Sequence, residues 1–280
     1  MSSLPEDTRG VELRESYLRL SGIPVLTYHG LNASGDLSLH KQNSKFWIPE
    51  RQFRGHLDQI RRKGYKVALL HDLWDDTAPA DPGARSVVLT FDDGRDSDYR
   101  VAYPLLVEAG VRAEFFVNTA AIEKPGFLTW SQICEMQRAG MSFQSHSHDH
   151  VVLTRLSNQA LERQVGDSKR LLEDRLGCAV EFLAVPYGLL DRRVVEAAAQ
   201  QGYRAVCTSW NWPAKPGART VNRAVVYGHT SLRKFDKLLT GNPVCYTARV
   251  IRSAVLYLPK QLLLRFQPAR LGVQVLEEQA

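Results

Sequence analysis

At 280 residues, 44% of them hydrophobic, the chain is long enough for one large core or two small ones. Its net charge of +6 suits an anionic partner, such as a phosphate-bearing substrate or an acidic membrane surface. No basic block interleaved with aromatics, of the kind that grips single strands, is present, so nucleic acid is not the expected partner.

No apolar run reaches the ~18 residues needed to span a bilayer. Cys134, Cys178, Cys207 and Cys245 form no C-x-x-C pair, which reads as reduced thiols in a cytosolic protein. Residues 1–20 combine acids, a proline and no apolar centre, so they read as an N-terminal extension and not as a secretory signal. Residues 23–28 (IPVLTY) read as a buried strand ending at His29, followed by a polar loop to about Trp47. Residues 49–64 predict a helix: Pro49 lies near its start, Gly64 stops it, and Phe53, Leu57 and Ile60 make one apolar stripe. A short strand over 65–70 and a loop over 76–85 precede a strand over 86–91. From there, helices over 97–110, 129–140, 157–177 and 191–202 alternate with strands over 112–118, 141–145, 180–185 and 204–208.

Strands alternating with helices of ten or more residues imply an α/β fold with a parallel sheet and crossover helices. About seven repeats favour a closed or nearly closed barrel over residues 21–240. Ligands in such folds bind at the C-terminal ends of the strands. His29, Asp92, Asp93, the histidines at 146–150 and Pro186-Tyr187-Gly188 all follow predicted strands, so they are expected to converge.

The strand VVLTFDDG (87–94) ends in two adjacent carboxylates, which repel unless a cation or a base lies between them. In SHSHDH (145–150), His146 and His150 are four apart, which predicts one side of a helical turn. Two imidazoles and one carboxylate make a common three-ligand set for a catalytic Zn²⁺; the same ligands accept Co²⁺ or Ni²⁺. One of the two carboxylates can hold the metal while the other serves as general base for the attacking water.

These residues also resemble a family. TFDDG (90–94), FLTW (127–130), SHSHDH with LTRLS (153–157), and LAVPYG (183–188) resemble the motifs of the polysaccharide deacetylases (NodB-homology, carbohydrate esterase type 4). IPVLTYH (23–29) resembles the first strand of the poly-N-acetylglucosamine deacetylase-like subgroup. The resemblance implies a distorted (β/α) barrel of about seven strands. It implies metal-dependent hydrolysis of the N-acetyl group of an amino sugar, with Asp92 as base and Asp93, His146 and His150 as metal ligands. It places Pro186, Tyr187 and Gly188 in the substrate groove, with the Tyr187 N–H helping to hold the oxyanion. The general acid is expected to be His29, with His229 as second choice. Trp210 and Trp212 are expected either to wall the groove or to pack in the core. Ala184 stands where many relatives have an arginine that orients the base.

Two other readings compete: a catalytically silent carbohydrate-binding or assembly partner in polysaccharide synthesis, and a deformylase of a lipid-linked formamido sugar. Residues 241–280 form a basic amphipathic tail, expected to be kinked or broken at Pro259. Such a tail can lie on an anionic membrane through residues 244–270, or dock as a helix on the barrel with snorkelling arginines. The expected location is the cytoplasm, with peripheral attachment to the inner face of the membrane, and the implied substrates include lipid-linked sugars.

Overall fold

The computed structural model describes residues 20–33, 44–74 and 85–266. Eleven strands are found among them: β1 (Val25–Tyr28), β2 (Gly30–Asn32), β3 (Trp47–Pro49), β4 (Lys66–Val67), β5 (Ser86–Asp93), β6 (Glu114–Val117), β7 (Ser142–Ser145), β8 (Phe182–Ala184), β9 (Ala205–Cys207), β10 (Thr220–Val221) and β11 (Ala224–Val225). Nine of them form one parallel sheet in the order β10-β9-β8-β7-β6-β5-β1-β11, with β4 paired to the start of β5. Only Asn222 and Arg223 separate the two edge strands in sequence, yet β10 and β11 are not paired, so the barrel comes close to closure without achieving it. The sheet exceeds the expected seven strands through two-residue ladders, too short to leave a periodic signal. Strands β2 and β3 make a separate two-stranded ladder within the stretch read as a loop.

Among the described residues, eight α-helices accompany the sheet: α1 (Glu50–Arg62), α2 (Leu70–Trp74), α3 (Tyr103–Glu108), α4 (Trp130–Arg138), α5 (Asn158–Leu176), α6 (Arg192–Gln200), α7 (Leu232–Leu239) and α8 (Pro243–Phe266). Their starts are chemically marked. Thr129 closes a capping box with Gln132, and Ser157, Asp191 and Ser231 accept the backbone N–H three residues on, each cap worth about 1 kcal/mol.

Period-two alternation sorts the core. Val87, Leu89 and Phe91 of β5 pack into the large outer cluster beneath the helices. Val88 enters a smaller cluster with Val25, Phe116, Phe182, Ala205, Cys207 and Val221. Strands from both ends of the sheet thus meet in that cluster, which makes it the barrel interior. Leu70 and Trp74 of α2 plug it.

The structure corrects three sequence expectations. The strand expected over 65–70 stops at Val67. The backbone N–H of Leu69 donates to the Asp72 carboxylate and that of Leu70 to buried Glu114, and these bonds start α2. The helix expected over 97–110 opens with a π-helical turn, Asp98–Ala102, in which the Tyr103 N–H reaches back to the Asp98 carbonyl. Pro104 follows at the start of α3 and has no N–H to give the ladder. Finally, α8 runs through Pro259 without a break. The loop expected over 76–85 lies, except for Arg85, outside the described residues, as do residues 1–19 and 267–280.

Candidate active site

The C-terminal ends of the parallel strands carry the chemistry. On β5, alternation puts Val88, Thr90 and Asp92 on the interior face and should send Asp93 outward. Asp93 escapes that by a left-handed backbone (φ 82°), a region Asp enters more readily than most residues. Gly94 follows at φ 68°, where a Cβ would lie 2.8 Å from Val117 Cγ1. The Asn118 amide holds the turn by donating to the Asp93 carbonyl at 2.8 Å. Both carboxylates therefore serve one site.

Asp93, His146 and His150 each offer a donor atom, and these atoms lie within 4.8 Å of one another. The Nε2 atoms of His146 and His150 are 3.6 and 3.3 Å from Asp93 Oδ1. His146 Nδ1–H donates to the Ala184 carbonyl at 2.8 Å, which fixes the tautomer and leaves the Nε2 lone pair facing Asp93. The donor set and that fixed tautomer fit a divalent cation.

The two histidines do not lie on a helical turn. Ser147 (φ 65°) and His150 (φ 56°) are left-handed, and Ser147 Oγ accepts the His150 N–H. A strained loop, stabilised by side-chain bonds, achieves what helical spacing was expected to do. His148 takes no part in the donor cluster; its Nδ1 lies 2.7 Å from Thr119 Oγ1.

Burial opposes the charge of Asp93, yet hydrogen bonds from His146 and His150 and the charges of His150 and Arg95 outweigh it. Its carboxyl is held well below the ordinary carboxylate value. Arg95 also binds its second oxygen at 2.8 Å.

Asp92 has a different partner. Arg223, in the two-residue gap between β10 and β11, donates to both of its oxygens, at 2.7 and 2.8 Å. Arg223 also donates to the Thr208 carbonyl and Thr90 Oγ1, lies 5.0 Å from the Phe116 ring centre, and is 0% exposed. Burial pushes the Asp92 carboxyl up; the charges of Arg223, His146 and His29 pull it below its usual value. Sequence reasoning missed Arg223. Position 184, where many relatives of the resembled family have an arginine, is alanine here; the guanidinium against Asp92 comes from Arg223, and no local pattern marks it.

His29 follows β1. Burial lowers its pKa, while Asp92 and Asp93 act in the opposite sense, which places it in the field of the acidic pair. Its ring packs 4.6 Å from Phe46. His229 is exposed, and the charges acting on it are those of Lys234, Arg252, Arg249 and Lys45. Tyr187 is left-handed (φ 61°), with its ring 4.9 Å from that of His150. Pro186 is buried, and Gly188 (φ 67°) packs so close to Ser209 that a Cβ would sit 2.7 Å from the Ser209 Cβ. Trp210 is 39% exposed, and Trp212 packs edge-on against Tyr246 at 6.3 Å.

Residues 80–206 match the family model described as polysaccharide deacetylase. The chain is 27% identical over 211 residues to YxkH of Bacillus subtilis (strain 168), to which polysaccharide deacetylase activity is ascribed; the match covers 74% of this chain and 70% of that one. It is 22% identical over 188 residues to the poly-beta-1,6-N-acetyl-D-glucosamine N-deacetylase of Staphylococcus aureus, covering 60% of this chain and 65% of that one. Among solved structures, the Streptococcus pyogenes deacetylase PplD in complex with acetate superposes with a TM-score of 0.70 at 27% identity, over 80% of this chain and 99% of that one.

Proposed function

We propose that the protein, whose residues 80–206 match the polysaccharide deacetylase family model, hydrolyses the N-acetyl group of an amino sugar, releasing acetate. The observation that carries the proposal is the pairing of two unlike carboxylates. Asp93 joins two histidines in a donor cluster, while Asp92 is kept out of it by Arg223 and stays ionised beside it. Asp93, His146 and His150 would hold a divalent cation, Zn²⁺ by its preference for such ligands, which when bound supplies Lewis-acid polarisation and a lowered water pKa.

The chain's own residues do the rest. Asp92 accepts the proton of the attacking water, and Arg223 fixes both oxygens of that carboxylate so that its lone pair keeps one direction. His29, within the field of the acidic pair, returns a proton to the leaving amine. The backbone N–H of Tyr187 stabilises the developing oxyanion. Pro186–Gly188, packed against Ser209, forms one wall of the sugar groove and Trp210 the other. The Staphylococcus aureus relative is named for a β-1,6-linked N-acetylglucosamine polymer, so N-acetylglucosamine glycans lead the substrate panel.

The test is acetate release from N-acetylglucosamine oligomers and lipid-linked N-acetylhexosamines, with metal content measured on the same samples. The wild type releases acetate, a chelator abolishes the release, and Asp92→Asn retains one metal per chain but loses the activity. Release by Asp92→Asn at the wild-type rate would rule out Asp92 as the base.

A further inference from the structure

Helix α8 has two unlike sides. Its inner side docks on the barrel. Tyr246 is fully buried and donates to the Leu238 carbonyl at 2.9 Å. Arg249 Nε donates to Asn211 Oδ1 at 2.8 Å, its guanidinium also reaches the Val225 carbonyl and lies over the Tyr227 ring, and the Asn211 amide donates to Ser253. The opposite side carries Val244, Ile251 and Val255, which are 74%, 59% and 68% exposed, with Ala248 between them. Their spacing of i, i+4, i+7 and i+11 makes one stripe.

The charge around the stripe has one sign. From Lys237 to Leu276 the sequence holds no Asp or Glu, while it holds Arg249, Arg252, Lys260, Arg265 and Arg270. Arg252 is exposed beside Ile251. Lys234 of α7, Lys45 just before β3, Arg249 and Arg252 all act on exposed His229, so separate segments bring positive charge to one place. That place connects to the candidate centre through rings. His229 stacks on Tyr227 at 5.3 Å, Tyr227 lies 5.5 Å from Phe46, and Phe46 lies 4.6 Å from His29.

We propose that the outer face of α8 lies on an anionic phospholipid surface, with Val244, Ile251 and Val255 in the acyl boundary and Arg252, together with Lys234 and Lys45 beside His229, against the headgroups. Among the described residues no helix is long and apolar enough to cross a membrane, so the attachment lies in the interface. A second copy of the chain is a poorer occupant, because a two-fold contact would press the same cations together. The ring series sets the mouth of the site beside the headgroups, where a lipid-linked substrate would present its sugar. Attachment does not depend on the reaction.

The experiment is co-sedimentation of the full chain with vesicles of phosphatidylcholine alone and of phosphatidylcholine with phosphatidylglycerol, alongside circular dichroism. The wild type sediments with the anionic vesicles and far less with the neutral ones, and salt weakens the binding. At about fivefold in affinity per surface charge, Arg252→Glu weakens binding about 25-fold, and the double variant Ile251→Glu/Val255→Glu abolishes it, both with unchanged spectra. Acetate release from a soluble oligomer stays at the wild-type value in both variants. No sedimentation with anionic vesicles, or binding indifferent to these substitutions, overturns the proposal. So does a solution dimer that Ile251→Glu/Val255→Glu dissociates, which would give the face to a second copy. A wild type that binds vesicles yet releases no acetate would refute the proposed reaction and leave the attachment standing.

Discussion

Replacing Arg223 with Met removes the wholly buried member of an ion pair whose other member, Asp92, is 3% exposed. In the wild type the guanidinium donates to both Asp92 oxygens, to Thr90 Oγ1 and to the Thr208 carbonyl. A methionine fills similar volume and satisfies none of them. Breaking a buried pair by deleting one partner costs about 3–5 kcal/mol, because the remaining charge is left unsolvated. For a domain of this size that is a Tm loss of roughly 10 °C. The Asp92 carboxyl, now governed by burial, rises from below its usual value, and each unit of rise corresponds to about 1.36 kcal/mol. The sign follows: the variant's deficit is largest where Asp92 must stay ionised and shrinks as acid protonates it. Urea unfolding of metal-free protein at several pH values reads the stability. The acid limb of kcat/KM reads the carboxyl and moves to higher pH in Arg223→Met. Arg223→Lys, which keeps the charge but not the fork, falls between. Asp92→Asn/Arg223→Met is less destabilised than the separate losses added together. An Arg223→Met protein within about 1 kcal/mol of wild type, well short of a broken buried pair, and with an unmoved acid limb would refute the tether.

Burial lowers the pKa of His56 to about 3; its ring stacks on Phe235 at 4.0 Å and its Nδ1 faces the Tyr28 hydroxyl. A depressed histidine contributes stability that is complete above its unfolded pKa of about 6.5 and is lost as pH falls toward the folded value. Between pH 7 and 5 the loss is about 2 kcal/mol, and His56→Phe, compared with wild type by urea unfolding, flattens that slope. Gly188→Ala places a Cβ against Ser209 at a left-handed position, a strain of order 1–3 kcal/mol. It separates the two groove walls, so kcat/KM drops while metal content, measured by elemental analysis, stays at the wild-type level.

The parts of this protein written locally were legible. Helix α1 carries its own apolar stripe, and α4, α5 and α6 their own caps, within one stretch of chain, and the longer strands of the main sheet announce themselves as apolar runs between them. The donor cluster was legible because its three residues lie in two short segments. The geometry of that cluster was not: a four-residue spacing fits a helical turn, and only the left-handed Ser147 and His150 reveal a loop. Asp93 poses the same difficulty in a strand, since alternation assigns it to the wrong face and one positive φ reverses the assignment. Arg223 lies beyond local reading altogether. A base-orienting arginine need only place its guanidinium against two oxygens, and nearly closing the barrel brings the β10–β11 gap to β5 without any sequence proximity. Position 184, two residues before Pro186, can then become alanine, whose carbonyl instead sets the tautomer of His146. What has to be preserved at such a site is the direction of a hydrogen bond and not the strand that supplies it. A missing motif residue is therefore weak ground for expecting a silent site until the opposite edge of the sheet has been searched.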